Sequence, residues 1–544
     1  MQQPSDRRGF LFATCFIALI ATSGGFMVRA MLLNGPWKEM FDLSGTQVGE
    51  IFGAGLWPFA ISIVLFSLVI DKIGYKTAMW FAVICHLIQA FMLMTAGRYS
   101  SIGMTDPAAI AQANENGYWW LWIGSFVGAL GNGTIEAVIN PVIATVYSKQ
   151  KTRMLTMLHA GWPGGLVLAG LLALMTKSFG WSWEVQVGVL LLPVAIYAIM
   201  LFGTSFPVNE RVAAGIPYLT MLRQAGVLGA FIVVGLIVME IGRVFGIESG
   251  TTNFWILALV MIYGFAIGGA LGRTLFFLLL LLMIPLATVE LGTDAWISGL
   301  MRPVMEGFGL DGVWVLIYTS TIMIIMRTVV IGPLSKIWSP VAILAVSALF
   351  AATGIYLLGS VTGAVLVLVV ATIYGMGQAF FWPCTLGLVS EQFPEGGALT
   401  INSIAGVGML GVGIIGGPLL GNLQDTRIDE ELASNQVVYE QFMADGMNDS
   451  IFGEYRQLDG GMITAAEERV KELETPDQVL GEAQDAELAS LTAKLNLITE
   501  VKNEANGYVL RSASVPALYM AFCYFALLIW FRQQGGYKPV ELNS

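Results

Sequence analysis

A glutamate four residues before an Asn-Pro sits in an otherwise apolar stretch, GNGTIEAVINPVIA, residues 131–144. Helical spacing puts Glu136 and Asn140 on one face, because positions four apart are neighbours on a helix. A carboxylate at membrane depth costs roughly 3 kcal/mol or more, so it faces a cavity or a partner rather than lipid. Such a pair offers proton carriage by the acid and hydrogen bonding of a polar solute by both. Arg29, in the first apolar run, is the cation that could balance Glu136. Glu290 and Asp294 repeat the four-residue spacing. It predicts one shared face that binds a cation or solute hydroxyls, or on which the two acids perturb each other's ionisation. Their place toward the outer half of a span leaves a solvated vestibule as the other reading.

The remaining intramembrane polar residues each have two readings. Arg327 snorkels toward the surface or pairs with a pocket acid. His159 is a satisfied structural histidine or a proton relay. Glu240 and Arg243, three apart, predict a mutual salt bridge at the outer boundary of their span. Among the aromatics, Trp119, Trp120 and Trp122 suit a membrane interface. Trp57, just before Pro58, suits helix packing or cavity lining.

The elements that must position these groups are long apolar runs. The 544 residues are 56% hydrophobic and 12% charged, against roughly 25% charged in soluble proteins. Stretches of spanning length recur about fourteen times, which predicts an all-α polytopic membrane protein. The run at 9–33, after Arg7 and Arg8, is too long for a cleavable leader and reads as a first span. Basic residues cluster in alternate loops and at both ends, which places both termini in the cytoplasm. The net charge of −11 comes from residues 422–511, where 19 acidic side chains face 7 basic ones. The acidity therefore belongs to one extracytoplasmic insert and points to no nucleic-acid partner. Within the insert, Thr464 with Glu467 reads as a capping box, Thr475-Pro476 as a helix start, and Leu488, Leu491, Leu495 and Ile498 as a packing stripe. The four cysteines lie in apolar spans, so no disulfide framework is indicated. There is no phosphate-binding glycine loop, no nucleophile elbow and no metal-spaced set, with only two histidines present. An enzyme is not indicated, and no cofactor is implied. Energy then comes from a proton or sodium gradient, or from the solute's own gradient.

The loop LFSLVIDKIGYK, residues 65–76, carries Asp71, Lys72, Gly74 and Lys76. It resembles the signature loop of the major facilitator superfamily, with Ser67 in place of the first glycine, and makes Asp71, Gly74 and Lys76 gating residues. In the fourth span Gly131, Gly133, Glu136, Asn140 and Pro141 resemble a segment of the L-fucose–proton symporter family. The similarity returns at HAGWPGGLVLAG (159–170), VELGTDAWISGLM (289–301), FFWPCTLGL (380–388) and residues 398–425. It implies two six-helix halves, a central site near the midplane and alternating access. It puts Trp162, Trp296, Gln378, Trp382 and Asn402 in spans that line the cavity, beside Glu136 and Asn140. Where that family has an Asp in its first span, linked to substrate binding and proton coupling, Met31 stands here with Arg29 nearby.

On this reading residues 1–206 are the first half and 274–544 the second. Two extra spans, at 225–246 and 253–271, lie within a linker at 207–273. The expected function is import of a monosaccharide across a bacterial cytoplasmic membrane, by a monomer, with Glu136, Arg29, Glu290 and Asp294 as ion-coupling residues. The alternatives are a metabolite antiporter or exporter of the same superfamily, and a non-transporting sensor whose acidic insert binds a partner.

Overall fold

The computed structural model describes residues 5–542 except 34, 44, 362, 451 and 475–480. Among these residues, fourteen helices are long and apolar enough to cross a membrane. The first six are α1 (Arg7–Leu33), α2 (Gln47–Ile73), α3 (Tyr75–Tyr99), α4 (Pro107–Val146), α5 (Ser148–Phe179) and α6 (Glu184–Gly203). The middle pair is α7 (Tyr218–Val244) and α8 (Ser249–Ala266). The last six are α9 (Thr274–Glu306), α10 (Val313–Ile337), α11 (Pro340–Leu358), α12 (Val365–Gln392), α13 (Pro394–Leu432) and α14 (Glu482–Gln533). The all-α polytopic expectation holds, and an even number of crossings leaves both chain ends on one face.

α1 packs on α5 and α6, and α3 on α4; in the second half α11 packs on α12 and α14. The halves meet where α2 lies on α13 and α5 on α10. Gly406 lets α13 approach α2: a Cβ there would stand 2.8 Å from Val64. α7 and α8 form a hairpin, and α7 rests against α9 and α13. Gly226 kinks α7 at φ 65° and lies against Gly272, whose backbone nitrogen would be 2.1 Å from any added Cβ. The spacing of Glu240 and Arg243 is realised as a two-pronged pair at 2.9 and 2.7 Å.

Six spans are irregular midway, and all six contribute a residue to the walls of the centre. α2 breaks between Ala54 and Trp57, α5 between Leu158 and Gly161, and α12 between Gln378 and Phe381. α9, α10 and α13 each contain a π-helical turn, at Thr288–Gly292, Met326–Val330 and Val412–Gly416. Such turns recur at functional sites because they shift side chains out of helical phase.

The segment between α13 and α14 builds a small second core. Ile428 and Leu432 end α13 and meet Val438, Phe442, Ala466, Ile498 and Val501. Leu491 and Leu495 join this core, whereas Leu488 does not. The proposed capping box is corrected: Asp459 caps helix Gly460–Leu473, accepting from the amides of Gly461 and Met462, and Thr464 bonds back to Gly460. Asp459 precedes the first turn and reaches its free amides, whereas Thr464 already lies inside the helix. A two-stranded ribbon, Asn448–Ser450 with Gly453–Tyr455, was not anticipated. The helix start at Thr475-Pro476 lies outside the described residues.

Candidate functional site

Three prolines expose the backbone that the central polar groups then satisfy. Proline has no N–H, so the carbonyl four residues earlier loses its helical partner. Pro163 takes the helical partner from the His159 carbonyl, which keeps a 3.2 Å bond from the Trp162 amide; Pro383 takes it from Ala379 and Pro141 from Ala137. Arg327, on the π turn of α10, takes two of these: Nη1 donates to His159 O at 2.7 Å and Nε to Ala379 O at 2.5 Å. Its Nη2 donates to Glu290 Oε1 at 2.6 Å. The other Glu290 oxygen accepts from the Trp382 amide at 3.0 Å, one of the free N–H groups that open the second part of α12. Both side chains of this ion pair are about 1% exposed. Asn402 of α13 donates to the third freed carbonyl, Ala137 O, at 3.0 Å across the two halves.

Glu136 lies on the opposite wall. Asn140 Nδ2 donates to Glu136 Oε2 at 2.7 Å, as the four-residue spacing predicts. His159 Nε2 stands 3.7 Å from the same oxygen. His159 Nδ1 is committed as donor to the Leu155 carbonyl at 3.0 Å. Attraction between Nε2 and Glu136 therefore requires one further proton, held by either group. The space between these walls is narrow, with room of about 10 Å³, and is lined by Phe59, Glu136, His159, Trp162, Glu290, Leu291, Arg327, Trp382 and Met409. Trp162 tilts against Phe26 and Phe59, with ring centroids 6.0 and 6.5 Å apart.

Of the residues expected at the site, Glu136, Trp162, Glu290 and Trp382 line this cavity, and Asn140 braces Glu136. Five placements differ. Arg29 does not pair with Glu136; its Nη1 donates to the carbonyls of Ile51 and Phe52, at the end of the first part of α2. Asn402 and Gln378 stand behind the wall, the latter donating to Asp294 Oδ1 at 3.1 Å. Trp296 lies against Gly421 of α13 instead of the cavity. Glu290 and Asp294 are both buried, which removes the vestibule reading, and they meet different partners. The π turn at Thr288–Gly292 adds a residue to that turn and breaks the shared face. Arg327 pairs rather than snorkels. Trp57 packs edge-on against Phe126 at 5.3 Å.

On the face that carries the chain ends, Asp71 pairs with Arg211 at 2.5 Å. Gly74 turns the chain at φ 83°, and Lys76 donates to the carbonyls of Phe202 and Thr204, each at 3.2 Å. A contact the sequence did not suggest closes the same face. Glu391 Oε1 accepts from the Thr152 amide at 3.1 Å and from its hydroxyl at 2.6 Å, joining the halves. Its Oε2 accepts from the Tyr537 hydroxyl at 2.6 Å, and Val540 donates to the Glu391 carbonyl at 2.8 Å. Burial and the neighbouring Glu391 push the Tyr537 phenol far above its usual range, so it remains a donor. Lys151 ties Ser390 O to Glu210 at 3.2 and 2.7 Å.

The proton:xylose symporter XylE bound to 6-bromo-6-deoxy-D-glucose superposes with a TM-score of 0.56 at 14% identity, over 80% of this chain and 91% of that one. The E. coli fucose:proton symporter FucP gives a TM-score of 0.48 at 16% identity, over 75% and 92%. The cis,cis-muconate transport protein of Acinetobacter baylyi is 27% identical over 204 residues, 36% of this chain and 43% of that protein. The match thus spans less than half the length of that relative. The Major Facilitator Superfamily profile matches residues 14–418, and the chain belongs to the Major Facilitator Superfamily of membrane transporters.

Proposed function

We propose that this transporter imports a small neutral polar solute, a monosaccharide, together with a proton across a bacterial cytoplasmic membrane. The observation that carries the reading is charge balance in an aromatic-walled cavity. Arg327 matches Glu290, and His159 with one further proton matches Glu136. No net charge is left to select an ion, while Trp162, Trp382 and Phe59 offer faces for C–H stacking. Solute hydroxyls would displace Asn140 from Glu136 and use both as hydrogen-bond partners. The proton between Glu136 and His159 is the coupled one: without it a carboxylate faces a nitrogen lone pair, and with it that wall is neutral and suits an uncharged solute. Both walls come from one chain, so a monomer suffices. Basic loops assign the Glu391 face to the cytoplasm, and Asp71, Gly74 and Lys76 hold that gate.

Counterflow in liposomes, with labelled L-fucose, galactose, glucose and glucuronate, tests substrate class without a driving ion. Exchange of a neutral sugar, weakened at least tenfold by Glu136→Gln, is expected. Intact exchange in Glu136→Gln would remove Glu136 from the site. A second reading has its own observation. Arg29 is buried without a carboxylate partner among the described residues, and its Nη2 has no acceptor. An organic acid is the solute such a guanidinium favours, and the muconate relative supports this option. Adding cis,cis-muconate to the panel decides between the two. If no solute exchanges in folded protein, and removal of residues 426–508 abolishes the cellular phenotype, the sensor reading gains.

A further inference from the structure

Asp294 is the one intramembrane acid among those singled out whose charge nothing nearby cancels. It is 3% exposed, in α9. Oδ1 accepts one hydrogen bond, from Gln378 Nε2 at 3.1 Å, and Oδ2 accepts none. Among the described residues no lysine, arginine or histidine stands within ion-pair distance of it, whereas Glu290 on the same helix has a donor on each oxygen. A buried carboxylate with a single amide partner is costly, and a bound proton removes that cost. The partner is suited to either state. Gln378 is fully buried, and its Oε1 has no donor. Its amide donates to ionised Asp294; turned over, it accepts from the protonated acid. The amide also touches Met323 Sδ at 3.3 Å, so it is held between α9 and α10. The charges acting on Asp294 are Glu290 from α9 and Arg327 from α10; Tyr374 faces it from α12.

Resting on the proton-coupled reading above, we propose that Asp294 with Gln378 forms a second proton site, separate from the Glu136–His159 pair and behind the Glu290–Arg327 bridge. Protonated, Asp294 leaves Arg327 to Glu290 and to the two carbonyls it holds. Ionised, it presents a second anion to Arg327 and competes with the His159 carbonyl, the contact that joins the halves at the centre. Proton occupancy at Asp294 thereby biases whether the two halves stay together there. The step moves one proton between Asp294 and water and makes or breaks no other covalent bond.

Infrared difference spectra of the full-length protein in liposomes, titrated between about pH 5 and pH 9, read the site without any solute. A protonated-carboxyl band that titrates in the wild type, disappears in Asp294→Asn and persists in Glu136→Gln is expected. Asp294→Glu should restore a shifted band and guards against a folding defect in the Asn variant. An unchanged band in Asp294→Asn overturns the proposal. Uptake of the sugar that passes counterflow supplies the coupling readout. Asp294→Asn should exchange it within about threefold of wild type yet lose at least tenfold in pH-driven accumulation. Full accumulation by Asp294→Asn, or accumulation driven by sodium and lost in that variant, also overturns it. A titrating Asp294 band in protein that moves no sugar would sink the import reading and leave the proton site standing.

Discussion

Replacing Glu391 by alanine should open the face that carries the chain ends. In the closed arrangement Glu391 accepts two bonds from Thr152 of the other half, at 3.1 and 2.6 Å, and one from Tyr537, at 2.6 Å. Only the Thr152 bonds must break when the halves part. Bonds to a charged acceptor contribute about 1.5–3 kcal/mol each. At the low end the two together favour closure by about 3 kcal/mol, and at 1.4 kcal/mol per tenfold their loss shifts the population about 100-fold. Glu391→Gln keeps a neutral oxygen for Thr152 and should shift it by about half that free energy. The assay is a spin-label distance between Lys149→Cys and Lys336→Cys, which lie on exposed positions of opposite halves. Cys523→Ser is the background, since Cys15, Cys85 and Cys384 are buried. A longer distance should appear in Glu391→Ala and partly in Glu391→Gln. Identical distributions in all three proteins, or equal shifts in Ala and Gln, would refute the argument that Thr152–Glu391 holds the gate.

Asn402→Ala leaves the Ala137 carbonyl without a donor and should cost about 1–3 kcal/mol, read as a lowered Tm; adding Pro141→Ala returns an N–H to that carbonyl and should recover much of the loss. Additive losses in the double variant would show that Asn402 does something else. Arg327→Met strands Glu290 and should cost about 3–5 kcal/mol, with Glu290→Gln in the same chain restoring Tm but not transport. Restored transport in that pair would make the bridge purely structural. Gly354→Val should prevent stable folding, because even a Cβ at Gly354 would stand 2.4 Å from the Tyr374 backbone nitrogen; normal expression and Tm would contradict the packing of α11 on α12.

The spans were legible because membrane thickness fixes a length that composition alone reveals. Glu136 and Asn140 were legible because α4 stays helical through Pro141 and the four-residue rule applies. The same rule misled at Glu290 and Asp294, where a π turn changes the phase, and that change also carries Trp296 away from the cavity. Nothing in residues 288–292 announces a π turn. The resemblance placed Trp162 and Trp382 well, because they follow helix breaks marked by Pro163 and Pro383. It placed Gln378 and Asn402 in the right spans but could not say that they face away from the cavity.

The prolines carry a further constraint. Each of Pro141, Pro163 and Pro383 specifies, by sequence alone, a carbonyl that loses its helical donor and can accept from another. The donors could not be named, because Asn402 is 265 residues from Ala137 and Arg327 is 168 from His159. Yet the inventory of buried donors in the second half is short, and Arg327 and Asn402 are prominent members of it. The consequence reaches the mechanism. A helix broken inside a membrane leaves acceptors before the break and donors after it, and both must be met by protein. Here the acceptor side of α12 holds Arg327 and the donor side holds Glu290, so one break fixes both members of the ion pair. The break in α5 supplies the third contact from the other half. An ion pair whose bonds join four helices in two halves cannot keep all of them when those halves rotate. The free energy of those bonds is therefore part of what separates one access state from the next.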